Sequence, residues 1–203
     1  MSLAAYALTT LDRTKIFLGI TNVSYNNILT TLINNASDFI ERFCDRRFKK
    51  TAYSNQVYDG NGTNRLLLKQ YPVVSGEIFT LQERDAVDNT DLWDTIDTED
   101  YFVKNNEGII EYVCGEFLNL PQHYRISYMA GYDYDNAATF LEDCGAGDLE
   151  YACWKIVGKF FANRKGSSEI QSERIGDYSV TYSKIAREDP EIARILEKYL
   201  RPF

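Results

Sequence analysis

The chain has 203 residues, 44% of them hydrophobic, and a formal net charge of −8. That is enough to bury one sizeable core, and the sign is opposite to that of a generally basic nucleic-acid-binding surface. No apolar run approaches the roughly 20 residues of a membrane-spanning helix, and Met1 to Tyr6 lack the basic start and apolar stretch of a secretory signal, so a soluble, non-secreted protein is expected.

A short helix is predicted over 11–18, where Leu11, Ile16, Phe17 and Leu18 are apolar and Gly19 follows. A second is predicted from about Ser24 to Arg47. Ile28, Leu29, Leu32, Ile33, Ala36, Phe39, Ile40, Phe43 and Cys44 recur at three- and four-residue spacings, which puts them on one face. Arg42, Arg46 and Arg47 crowd its last turns, where cations complement the helix dipole.

The period then changes. Between Tyr53 and Tyr132 short β-branched and aromatic runs alternate with turn signals: 56–58, 65–68, 77–81, 101–103, 109–113 and 124–128. Asp59-Gly60-Asn61-Gly62 and Asn105-Asn106-Glu107-Gly108 read as turns, since Gly and Asn tolerate positive φ. An antiparallel β-unit is expected. Helix returns after Gly147, with Asp148 as N-cap and Leu149, Ala152, Cys153, Ile156, Val157 and Phe160 as its apolar face up to about Arg164. Gly158 inside it implies a neighbour packed closely there. Residues 177–183 alternate as a strand after a turn at Gly176, and a last helix opens with Asp189 as N-cap and Pro190 in its first turn. The fold class is α+β, a mainly α-helical framework with an antiparallel β insertion and a short C-terminal hairpin before a final helix. It is read as a single domain of N-terminal helices (1–50), β-rich insertion (53–132) and C-terminal helices with hairpin (145–203).

Charge is concentrated in one stretch. Glu83 to Asp100 holds eight acids (Glu83, Asp85, Asp88, Asp91, Asp94, Asp97, Glu99, Asp100) against one base, Arg84, a local net of −7. Asp85, Asp88, Asp91, Asp94, Asp97 and Asp100 recur every three residues, and carboxylates are the ligands hard cations prefer. Calcium loops use alternate positions around a central glycine, whereas Leu92, Trp93 and Ile96 intervene here, so a solvated acidic loop is expected and no metal site. His123 is the only histidine, and no Gly-Xaa-Ser-Xaa-Gly or Cys/His signature accompanies it, so no catalytic residue is assigned. The glycine-dense spots lack phosphate-loop endings, and no cofactor is expected. Cys44, Cys114, Cys144 and Cys153 form no Cys-Xaa-Xaa-Cys pair. Cys44 and Cys153 fall on apolar helix faces, and pairing of Cys114 with Cys144 stays open. Arg46-Arg47-Phe48-Lys49-Lys50 is the one basic cluster, read as a helix terminus or a contact to an acidic neighbouring subunit.

Several segments, taken in order, carry a resemblance. They are 36–48 (ending Ile40-Glu41-Arg42-Phe43-Cys44-Asp45-Arg46-Arg47-Phe48), Tyr58-Asp59-Gly60, Leu66-Leu67-Leu68 with Tyr71-Pro72-Val73, and Tyr128-Met129-Ala130-Gly131-Tyr132. Asp148-Leu149-Glu150, Glu173 to Tyr182, and Ile195 to Arg201 complete the series. In this order and spacing they resemble the head–tail connector (adaptor, or head-completion) proteins of tailed bacteriophages over most of the chain. There are two departures: Cys144-Gly145-Ala146-Gly147 stands where the family often has a proline, and the β-insert with its acidic stretch is long.

The resemblance implies a structural virion protein and no enzyme. Such proteins form rings, usually dodecameric, at the virion neck. They sit beneath the portal protein, extend the DNA channel and receive a stopper or tail protein, after assembly in the bacterial host cytoplasm. DNA would pass without sequence-specific binding, and no membrane is involved. Arg46, Arg47, Tyr199, Leu200, Arg201, Pro202 and Phe203 are candidate partner-binding residues, and the six aspartates a candidate channel-facing or tail-facing loop. The alternatives are another neck protein, such as a stopper or tail terminator, and a small divalent-cation-dependent enzyme.

Overall fold

The structure, a computed structural model, describes residues 2–85, 92–136, 138–163 and 189–200. The predicted hairpin at 177–183 lies outside them, as do Asp88, Asp91, Arg201, Pro202 and Phe203. Two compact units are present: Met1–Arg46 with Asp133–Phe203, and Arg47–Tyr132. Four α-helices stand alongside seven strands in two antiparallel sheets among the described residues, so the class is mixed α+β and the mainly helical framing is corrected. The β insertion is a layered unit with its own core.

In the first unit, α1 (Leu11–Leu18) is N-capped by Thr10, whose side chain accepts from the Arg13 N–H at 3.1 Å. After a 3-10 turn at Val23–Tyr25, α2 (Asn26–Phe43) buries Leu29, Leu32, Ile33, Ala36 and Ile40. This is the stripe its spacing predicts, but the helix ends four residues earlier than expected. Asp45 adopts φ 49°, its N–H reaches the Arg42 carbonyl, and the Arg46 N–H reaches back to the Glu41 carbonyl at 3.1 Å. This is a Schellman closure with aspartate in the left-handed position. Only Arg42 therefore lies in the last turn, paired with Asp38.

Helix α3 (Gly147–Asn163) packs on α2 through Leu149, Ala152, Cys153, Ile156 and Val157. Asp148 is not its N-cap but sits inside its first turn, because the Leu149 N–H already bonds back to Ala146. The neighbour implied by Gly158 is Leu18: a Cβ at Gly158 would lie 3.0 Å from the Leu18 Cδ2. Helix α4 (Pro190–Glu197) opens as predicted, with the Asp189 carboxylate accepting from the Glu191 and Ile192 N–H groups, and it buries Ile192, Ile195 and Leu196.

The second unit holds β1 (Thr51–Tyr58), β2 (Arg65–Leu67), β3 (Thr80–Arg84), β4 (Trp93–Thr95), β5 (Tyr101–Lys104), β6 (Ile109–Tyr112) and β7 (Tyr124–Ala130). One sheet has the order β1-β7-β3-β4 and the other β2-β6-β5. Their apolar sides share one core, with Tyr58, Leu81, Tyr124, Ile126 and Tyr128 from the first and Leu66, Tyr101 and Ile110 from the second. Burial in β7 alternates residue by residue, as a half-buried strand requires.

The landmark segments mark places where backbone meets backbone. Tyr58 and Tyr128 join hydroxyls at 3.0 Å and accept the Lys69 and Gln70 N–H groups, fixing the entry to the Tyr71–Pro72 step, whose peptide bond is cis. Asp59 accepts the Gln122 N–H at 2.6 Å. Gly60 passes so close to Leu118 that an added Cβ would lie 1.6 Å from its carbonyl oxygen. Gly131, at φ 110°, leaves no room for a side chain against the Lys49 backbone, and Tyr132 then pairs with Phe48 and Lys50.

Candidate docking surfaces

Of the two arginines after α2, Arg46 is buried at 4% exposure. The Schellman closure turns the backbone at Arg46 back against the end of α2. Arg47 is exposed, and its N–H donates to the Gln70 side chain at 2.8 Å.

At the C-terminal end, Tyr199 is half-buried and Leu200 is 36% exposed. The Tyr199 hydroxyl donates to Asp148 Oδ1, and Lys198 Nζ lies 3.1 Å from Asp148 Oδ2. Asp148 thus binds the end of α4 at the N-terminus of α3, where an anion is favoured by the helix dipole. Sequence reading placed Asp148 only as a cap. Its partners lie 50 and 51 residues away, and no local spacing announces them.

In the described part of the acidic segment, two short strands flank residues 86–91. β3 and β4 pair with Glu83 opposite Asp94 and Arg84 opposite Trp93, and the Asp85 N–H reaches the Leu92 carbonyl. The reason is apolar: Ile96 is buried and donates its N–H to Leu81, drawing the chain back beside β3. Trp93 meets two cations, with the guanidinium carbons of Arg84 and Arg125 5.0 and 4.6 Å from its ring centroid. Asp85 is half-buried, whereas Asp94, Asp97 and Asp100 are exposed, and Asp97 accepts the Glu99 N–H to shape the turn into β5. Among the described residues no cluster of His, Cys, Asp or Glu has the grouping to hold a metal ion. His123 is buried at 5% exposure beside Tyr124.

A polar node in the helical unit carried no sequence signal. Glu150, 1% exposed, accepts from Arg13 Nε at 2.8 Å, Arg13 Nη2 at 2.9 Å and Thr9 Oγ1 at 2.7 Å. The Trp154 indole N–H donates to Thr9, and Arg13 also reaches Glu142. All four cysteines are free thiols, and burial pushes those of Cys44 and Cys153 up to about 12.

A sequence model described as head completion protein matches residues 7–201. The chain belongs to the head completion protein family. No curated protein matches it. Similar solved structures come from gene transfer agent (GTA) particles. One chain, from the neck of an empty particle computed with C6 symmetry, is 11% identical with a TM-score of 0.59, covering 100% of this chain and 94% of that one. A chain of the native particle's virion is 12% identical with a TM-score of 0.53, again covering 100% and 94%. A third, from the neck of the native particle computed with C12 symmetry, has 12% identity and a TM-score of 0.53 over 100% and 93%. At these identities the likeness is one of fold. No helix among the described residues of this family member is long and apolar enough to cross a membrane.

Proposed function

We propose that this chain is a structural neck protein that assembles as a ring adaptor at the head–tail junction, between the portal protein and a stopper or tail protein. The observation that carries this reading is the head completion match over 7–201. It is supported by a fold shared along the whole chain with neck components of other particles. The work of such a protein is recognition, with each subunit using two different faces in a closed head-to-tail contact. A dodecamer is the proposed ring, matched to a portal above it. Arg47 and the residues from Tyr199 to Phe203 are the proposed docking groups. Asp85, Asp88, Asp91, Asp94, Asp97 and Asp100 form the proposed channel-facing or tail-facing surface, where negative charge repels DNA phosphates and lets the genome slide.

Native mass spectrometry with and without the cognate portal tests the reading. A closed ring on the portal is the expected result; a strict monomer that never joins a portal overturns it. Deleting Leu200 to Phe203 is expected to abolish portal binding and leave the fold intact.

A further inference from the structure

Helix α4 is tied to α3 at both ends, and the two ties are unequal. At its start the Asp189 side chain is 11% exposed and holds Lys155, Lys159 and two backbone N–H groups. At its end one carboxylate, Asp148, takes both Lys198 and the Tyr199 hydroxyl, and the Asp148 and Lys198 side chains are 30% and 60% exposed. An exposed ion pair is held weakly, because water screens it and two long side chains lose freedom in forming it. A nearly buried anion with several donors is held more firmly. Of the two polar ties, the one at the C-terminal end of the helix is therefore the weaker.

We propose that Asp148 is a releasable latch on the C-terminal end of the chain. It holds Lys198 and Tyr199 against the start of α3 and gives them up when a protein partner engages the last residues. The Tyr199 hydroxyl has a single proton to donate, so it cannot serve Asp148 and a partner's acceptor together, and latching competes with docking. The latched fraction lowers apparent affinity for the partner. The inference rests on the reading above that the residues from Tyr199 onward meet the portal.

The test uses Asp148→Ala and Tyr199→Phe in the full chain, with hydrogen exchange and binding to the cognate portal as readouts. The amides of Lys198, Tyr199 and Leu200 bond to the carbonyls of Ile195 and Leu196, so their exchange reports the latch. Exchange there should quicken by about threefold or more in both variants, with the amides of Ile195 and Leu196 unchanged. Portal binding by Asp148→Ala should tighten about two- to tenfold. Unchanged exchange at 198–200 overturns the latch. Faster exchange with weaker portal binding also overturns it, since Asp148 would then aim the chain end rather than restrain it. If portal binding survives deletion of Leu200 to Phe203, the docking reading fails, and the exchange result still decides the latch.

Discussion

Glu150 is buried at the meeting point of Thr9, Arg13 and, through Thr9, Trp154. Neutralising it leaves the Arg13 guanidinium facing a site built for an anion, with Glu142 as its remaining carboxylate. Glu150→Gln should therefore cost about 2–3 kcal/mol, below the figure for a fully buried pair because the Arg13 side chain is 22% exposed. Urea unfolding checks this: the midpoint falls while the slope stays constant. Residues of the segments that carry the resemblance play a similar structural part. Asp59 and Gly131 are short or side-chain-free because another stretch of backbone passes against them. Their order along the chain was legible, but their reason was not, since each reads as a turn until its distant neighbour is seen.

At the scale of elements, apolar periodicity located α2 and α3 because one face of each is continuously buried. It failed at the end of α2, where Arg46 and Arg47 look helical by composition and the left-handed Asp45 stops the helix. It failed again at β4, a three-residue strand hidden inside an acidic run. What pairs it is the burial of Ile96 and the packing of Trp93, both tertiary. β1 was read only over its last three residues because the bulge between Tyr53 and Gln56 breaks the alternation. The start of α4 was fully legible, and it carries a prediction. Asp189→Ala removes an N-cap and a partner of two lysines, and should lower stability by about 1–2 kcal/mol. Burial alone would raise the Asp189 carboxyl. Hydrogen bonds from Lys159, the Ile192 N–H, Lys155 and the Glu191 N–H outweigh it and hold the group well below its ordinary 3.8. A carboxyl depressed on folding stabilises fully above its unfolded value and loses that contribution as pH falls toward the folded one. The difference between parent and Asp189→Ala should thus be constant above about pH 4 and shrink below it, as thermal unfolding across that range would show.

At the scale of the whole molecule, the chain is two compact units, one helical and discontinuous, the other β-rich and continuous from Arg47 to Tyr132. Every residue of the β-unit's apolar cluster lies within that stretch. A fragment spanning 47–132 should therefore fold by itself, with a cooperative thermal transition and dispersed amide resonances; a featureless spectrum would refute this. The polar node at Glu150 and the latch at Asp148 could not be seen from sequence, because their partners are separated by up to 141 residues and only the fold brings them together. The pairing of Lys49 with Tyr132 has a wider consequence. To the helical unit the β insertion is a loop whose two ends are already joined, and the entropy of closing a loop grows only with the logarithm of its length. Lengthening or shortening the insertion therefore changes the closure cost borne by the helices only slightly.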